Sequence, residues 1–287
     1  MEQVSLREKE ELFRYGTVQK VKQFLKDNPA WGVNEDINGR GNTALHFASS
    51  HGHSEIISVL LAQPEINVNQ KNIIGQTPFH FGCNNGHVEV VKVLLRDSRV
   101  DINLPDKYDC TPLWYTSFYG YVEVIKWMIA SGREITNLDL KGKYGNATVE
   151  YTTFEIARVL EQTAVVSLLE RFISNQEKTR QEVSLDLRIP DVVAAELFAM
   201  TVFFCDNYLR IRADSKIIVS TATEVATTIR EYNSTPAARF FTIMSKLPIE
   251  LQMTISCRVS GSSKELINPR LSELSFRHLA QTWQKTE

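Results

Sequence analysis

The chain has 287 residues, a hydrophobic share of 43% and a formal net charge of −2. That length predicts two domains of ordinary size, with apolar content enough for a packed core in each. The near-neutral balance and the lack of any basic run argue against nucleic acid or an anionic membrane as partner. Cys83, Cys110, Cys205 and Cys257 follow no disulfide or metal spacing, which predicts a reducing compartment, read here as the cytoplasm. The opening Met1-Glu2-Gln3-Val4-Ser5-Leu6-Arg7-Glu8 is too charged for a leader peptide. The most apolar run, Val192 to Cys205, is short and holds Glu196, so it predicts a buried helix and no membrane insertion.

In chain order, residues 6–34 carry a weak copy of the pattern that follows. Leu12-Phe13, Gly16, Val18, Val21 and Phe24-Leu25 give a turn glycine followed by an apolar helical stripe, and Val33-Asn34 gives an exit. The first helix is rich in Glu and Lys, as a terminal unit with one face in water requires. The pattern becomes clear at Thr43-Ala44-Leu45-His46, Thr77-Pro78-Phe79-His80 and Thr111-Pro112-Leu113-Trp114, which recur at 34-residue intervals. Gly52, Gly86 and Gly120 keep that interval, as do Glu55, Glu89 and Glu123. Thr suits a helix N-cap and Pro the first helical position. The glycines suit a left-handed turn between two helices. Ile56-Ile57 with Leu60-Leu61, Val90-Val91 with Leu94-Leu95, and Val124-Ile125 with Met128-Ile129 place one apolar stripe on each second helix. A fixed period of this length marks a solenoid, whose units bury their apolar faces only against one another.

A fourth copy is displaced. Thr152-Thr153-Phe154-Glu155 aligns with the opening and Val165-Val166 with Leu168-Leu169 with the second helix, after about seven inserted residues around Lys141-Gly142-Lys143-Tyr144-Gly145-Asn146-Ala147. Glu161 stands near the place of the turn glycine. The last helix is expected to run on through Ile173 into Glu177 and Glu182.

The Thr-Pro-Leu-His openings, the Gly-His turns at 52–53 and 86–87 and the Val-Val-x-x-Leu-Leu helices resemble the ankyrin repeat. That resemblance implies L-shaped units, each with two antiparallel helices and a projecting hairpin finger, stacked into a curved array over residues 6–173. It also implies that the opening histidines tie loops together through backbone hydrogen bonds.

Residues 186–287 show no repeat. A helix from Asp191 to about Leu209, apolar nearly all round, and helical stretches near 222–231, 235–246, 248–259 and 271–284 predict a compact all-α domain. Lys216-Ile217-Ile218-Val219-Ser220 reads equally as strand, helix or turn. The fold class is therefore all-α: an ankyrin-type solenoid followed by a helical domain.

Function in such an array is expected on its concave side, where the repeats differ. The finger positions are Arg40 and Asn42, then Ile73, Ile74 and Gln76, then Lys107, Tyr108 and Cys110. The positions ahead of the turns are Ser50-His51, Asn84-Asn85 and Phe118-Tyr119, a shift from polar to aromatic. Arg40, Ile73, Ile74, Lys107, Tyr108, Tyr115, Phe118 and Tyr119 are the expected protein-binding residues, since exposed aromatics anchor interfaces. The rings around Trp114 and Tyr121 have a second reading, as packing against the displaced fourth unit or the helical domain.

No Cys/His spacing predicts a metal, and no phosphate loop or nucleophile motif predicts catalysis or a cofactor. Leu247-Pro248-Ile249-Glu250-Leu251-Gln252-Met253-Thr254-Ile255 looks like the opening of an F-box. That likeness implies contact between Leu247, Leu251, Ile255 and a ubiquitin-ligase subunit. An ordinary helix beginning at Pro248 explains the same residues. The reading is a non-enzymatic, protein-binding scaffold, with a ligase adaptor as the alternative.

Overall fold

The computed structural model describes residues 5–145, 147–189, 198, 209–211, 217–219, 249–260, 267, 272 and 275. The chain divides into two compact units, Met1–Arg180 and Gln181–Glu287.

The first unit is a run of helix pairs. Each pair joins an inner helix to an outer one: α1 (Leu6–Tyr15) to α2 (Val18–Asp27), α3 (Ala44–Ser50) to α4 (Ser54–Leu61), and α5 (Pro78–Asn84) to α6 (Val88–Arg96). The series continues with α7 (Pro112–Tyr119) and α8 (Val122–Ala130), then α9 (Thr153–Val159) and α10 (Thr163–Ser174). Inner helices pack on one another along the row α1, α3, α5, α7, α9, outer helices form a second row from α2 to α10, and each inner helix also packs on the outer helix of its own pair. The expected stripes face inward: Ile56, Ile57 and Leu60, Val90, Val91 and Leu94, and Val124, Ile125, Met128 and Ile129 are all buried. Phe13 and Val21 close the core at the first pair, where Phe13 stacks on Trp31 at 5.4 Å. Buried Lys9 reaches Glu35 at 2.8 Å.

Capping explains where the inner helices start. The hydroxyls of Thr77, Thr111 and Thr152 accept from the amides of His80, Trp114 and Glu155 at 3.4, 3.1 and 3.1 Å, satisfying donors that have no partner within a helix. The turns explain where they end. Gly52, Gly86 and Gly120 are left-handed, with φ of 77°, 68° and 76°. In the fifth pair, between α9 and α10, Glu161 takes that role at φ 56°, a conformation that L side chains resist. At the first pair Gly16 stays extended at φ −73°, so that turn is of a different kind.

Two further sets of bonds tie each unit to the next. On the loop side, Asn34 Nδ2 donates to Glu65 O at 2.7 Å while its Oδ1 accepts from Asn67 N at 2.8 Å. Asn69 bridges Arg99 O and Asp101 N in the same way, and Asn103 bridges Glu134 O and Thr136 N. Asn137 ends this ladder, turning its amide back to Asn103 O at 3.3 Å. In the core, His46 Nε2 donates to Gln76 O at 3.1 Å and His80 Nε2 to Cys110 O at 3.3 Å. Each ring accepts through Nδ1 from the Thr amide at its own helix start, which fixes the tautomer. Trp114 stands in the third unit and its Nε1 still donates to a carbonyl of the next unit, Tyr151 O, at 2.8 Å.

The expected continuation of the last helix is interrupted. α10 ends at Ser174, and Asn175 Oδ1 then accepts from Lys178 N at 3.0 Å, capping α11 (Gln176–Asp186) as a separate helix.

In the second unit α12 (Ile249–Ser260) falls on the predicted helical stretch 248–259, whose Pro248 lies outside the described residues. Strands β1 (Leu209–Ile211) and β2 (Ile217–Val219) pair antiparallel, with Leu209 opposite Val219. The strand reading of 216–220 is therefore the one observed, and the predicted helix from Asp191 does not include Leu209. The chain remains all-α in class, with this ribbon as the only pair of strands among the described residues. The predicted helices near 222–231, 235–246 and 271–284 lie outside the described residues, apart from Ser272 and Ser275, both helical.

Two outcomes follow. Replacing Glu161 by Gly removes left-handed strain of about 1–2 kcal/mol at an added entropic cost of about 0.5–1 kcal/mol. The net expectation is a gain of roughly 0.5–1 kcal/mol in urea unfolding, whereas Gly86→Ala, whose Cβ would lie 2.9 Å from the Tyr121 ring, loses stability. The second outcome concerns pH. Burial lowers the pKa of His46 to about 4 and of His80 to about 3. Both stay neutral when folded and gain protons near pH 6.5 when unfolded. Their contribution is complete above pH 6.5 and is lost as pH falls toward the folded values, at up to about 1.4 kcal/mol per pH unit per histidine. Unfolding midpoints at pH 7.5 and 5 test this, with a shallower dependence expected for His80→Gln.

Candidate functional site

The fingers between the helix pairs are short hairpins closed by backbone bonds. Ile37 N donates to Asn42 O, Asn72 N to Gln76 O and Asp106 N to Cys110 O, at 2.9, 3.0 and 3.0 Å. Within each, a side-chain oxygen shapes the tip: Asn38 Oδ1 accepts from Arg40 N, Asn72 Oδ1 from Ile74 N and Gln76 N, and Asp106 Oδ1 from Tyr108 N and Cys110 N. The fourth finger is longer, pairing Gly142 with Tyr151. Adjacent fingertips are bonded in turn. Ile73 N donates to Arg40 O, Lys107 N to Ile74 O and Lys143 N to Tyr108 O, at 3.0, 3.0 and 3.1 Å. The five finger residues singled out from sequence therefore lie along one hydrogen-bonded ladder. Arg40, Ile73 and Lys107 are exposed, and Ile74 and Tyr108 are half-buried.

Close approach of the fingers demands a residue without a Cβ, and its location changes along the array. A Cβ on Gly75 would lie 2.9 Å from Lys107 N and 3.2 Å from Asp106 Cα. In the third finger the corresponding residue is Asp109, left-handed at φ 57° and carrying a Cβ. Here the facing finger supplies the glycine: a Cβ on Gly142 would lie 2.7 Å from Cys110 Sγ and 3.0 Å from Asp109 O.

The aromatic residues separate into two groups. Trp114 and Tyr115 belong to a buried cluster with Cys110 and Ile156. Tyr115 is 4% exposed, which corrects its assignment as a binding residue. Its side of α7 faces α5, its ring lies 6.3 Å from His80, and its hydroxyl donates to Asp106 Oδ2 at 2.7 Å while accepting from Gln76 Nε2 at 3.0 Å. Burial and the Asp106 carboxylate push this phenol far above its ordinary pKa. Tyr115 thus braces fingers 2 and 3 from below. Burial likewise pushes the Cys110 thiol up to about 12, which keeps it unreactive.

The second group reaches the surface. Phe118 stacks on Trp114 at 5.3 Å, and Tyr144 stacks on the other side of Phe118 at 5.0 Å with planes 12° apart. Tyr119 meets Phe118 edge-on and stacks on Tyr121 at 5.6 Å. The Tyr119 and Tyr144 hydroxyls lie 3.2 Å apart. Phe118 is half-buried, while Tyr119 is 37% and Tyr144 51% exposed. Burial and the Tyr144 hydroxyl push the Tyr119 phenol up to about 12, so it remains a neutral donor at physiological pH. The rings divide accordingly: Trp114 and Tyr115 are packed in the interior, and Tyr119 reaches the surface. Tyr144 was not singled out from sequence. Its only signal was an aromatic residue within the insertion ahead of the fourth unit.

On α12, Ile249 is exposed and Ile255 half-buried, with Ser256 and Cys257 in the interior. Leu247 and the side chain of Leu251 lie outside the described residues. Among the described residues no group of three His, Cys, Asp or Glu side chains could hold a metal ion, and no helix is long and apolar enough to cross a membrane.

Comparison with known families matches ankyrin repeats (three copies) to residues 64–139 and an ankyrin repeat to residues 40–73. No family matches the C-terminal region. No curated protein matches the chain. Residues 40–139 of this chain are ankyrin repeats, a module for protein–protein interaction.

Proposed function

We propose that the chain is a non-enzymatic, cytoplasmic scaffold that holds a protein partner on the concave face of an ankyrin array spanning residues 6–173, with a helical domain at 186–287 following it. The observation that carries this reading is the exposed pair Tyr119 and Tyr144 on Phe118, beside a ladder that presents Arg40, Ile73, Ile74, Lys107 and Tyr108. Rings fixed by stacking have little rotamer freedom to lose on binding, and neutral hydroxyls can pair with backbone groups of a partner. Nucleic acid is not expected there, because the charges are few and mixed.

A second reading is a substrate adaptor that recruits a ubiquitin-ligase subunit through Leu247, Leu251 and Ile255. Ile255 is half-buried and so partly open to a partner, whereas the exposed Ile249 lies on roughly the opposite side of α12.

Affinity capture from a eukaryotic lysate with the full chain tests both. Phe118→Ala/Tyr119→Ala is expected to weaken retention of one specific protein by about 30-fold or more, the cost of losing a hot spot of at least about 2 kcal/mol. Leu251→Asp is expected to leave that protein bound. Loss of ligase subunits in Leu251→Asp alone would promote the second reading, and unchanged retention in both variants would sink the concave-face assignment. Circular dichroism checks that each variant is folded.

A further inference from the structure

The aromatic cluster occupies one end of the inner-helix row, and the opposite end differs in chemistry. A cleft of about 440 Å³ opens there between α1, the first finger and α3. Arg14 and Arg40 stand on its two sides, Glu10 and Asn42 contribute polar edges, and Phe47 and Phe81 line it with apolar surface. Arg14 is held in place. Its Nη1 lies 3.3 Å from Glu10 Oε1, its Nε donates to His51 Nε2 at 3.2 Å, and its guanidinium sits 6.0 Å from the Phe47 ring centre. Arg40 is exposed, and among the described residues its side chain has no partner.

The charges facing the cleft can be balanced. Glu10 is matched by Arg14. His46 is neutral because burial lowers its pKa to about 4, and His51 Nε2 accepts from Arg14 Nε. One positive charge, on Arg40, is left over. A single carboxylate neutralises it, whereas a phosphate dianion would also meet the Glu10 carboxylate. Guanidinium groups suit planar carboxylates. The Arg40 backbone is the first rung of the fingertip ladder, since its carbonyl accepts from Ile73 N. A ligand seated here is thus led onward along the same face, which favours an extended chain over a small free acid.

Resting on the concave-face reading, we infer that this cleft is a carboxylate subsite, taking an Asp or Glu side chain of an extended peptide whose neighbouring apolar residue lies on Phe47 and Phe81. The two ends of the face then select different features of one partner: an acidic residue at the first repeat and an apolar or aromatic residue at the third.

The test uses the full chain and a display library of peptides about a dozen residues long. Enriched sequences are expected to carry Asp or Glu at a fixed distance from an apolar residue. A synthetic peptide from that set, measured by fluorescence anisotropy, is expected to lose about tenfold in affinity with Arg40→Glu and to regain it when its acidic residue is changed to Lys. Its binding should weaken with added salt. Equal binding by wild type and Arg40→Glu, or enrichment of basic peptides, overturns the subsite. If binding falls with Phe118→Ala/Tyr119→Ala but not with Arg40→Glu, the concave-face reading survives and the carboxylate subsite does not. No enriched peptide, or indifference to all three substitutions, removes both. A phosphoserine peptide that binds more than tenfold tighter than its Asp counterpart reassigns the cleft to phosphate. A melt by circular dichroism confirms that Arg40→Glu remains folded, as expected for an exposed side chain.

Discussion

One buried hydrogen bond, repeated, does more than any other contact to define the spacing of this array. It runs from a ring nitrogen on an inner helix to a backbone carbonyl of the following finger. His46 and His80 make it with Nε2, and Trp114 makes it with Nε1. For the two histidines both ends are out of water, so an unmet carbonyl or ring donor there would cost about 1–3 kcal/mol. The bond therefore constrains how far one unit can turn or slide against the next. Trp114 preserves the donor while adding a larger face, and that face supports Phe118 and through it Tyr144. The replacement that departs from the repeat pattern is thus the one that begins the aromatic surface.

The fourth unit shows how a regular solenoid absorbs an irregular member. Its insertion lengthens the finger, yet the fingertip bond to Tyr108 and the ring-to-carbonyl bond from Trp114 are both retained. Contact between fingers survives because the glycine moves across the interface, from the Gly75 position to Gly142. The turn survives with Glu161 held left-handed. Local strain is accepted at the end of the array, where fewer neighbours depend on it.

Much of this was legible in the primary structure because the period repeats the same physical requirement. Threonine caps, turn glycines and apolar stripes predict helix pairs, and a recurring finger position identifies residues that end up on one ladder. What escaped detection has a common cause. α7 is buried from Pro112 through Ser117, so it has no polar face from which to infer that Tyr115 points inward. Tyr144 lies in an insertion with no counterpart in the other units, and its partner Phe118 lies far back in the chain, so no spacing rule connects them. The cleft at the first repeat depends on Arg14, on a helix that reads only as a charged cap. In residues 186–287 no period exists, and the strand at Ile217–Val219 stayed ambiguous because a short apolar run fits several backbones.

The two edges of the array are fastened by different means. Asparagine side chains join successive loops on one edge, and backbone bonds join successive fingertips on the other. A stack fixed on both edges cannot open like a fan without breaking bonds on at least one of them. The array is consequently rigid before anything binds to it, so ordering it costs little conformational entropy. A peptide that is already extended before it docks loses less entropy on such a stack than one that must first uncoil.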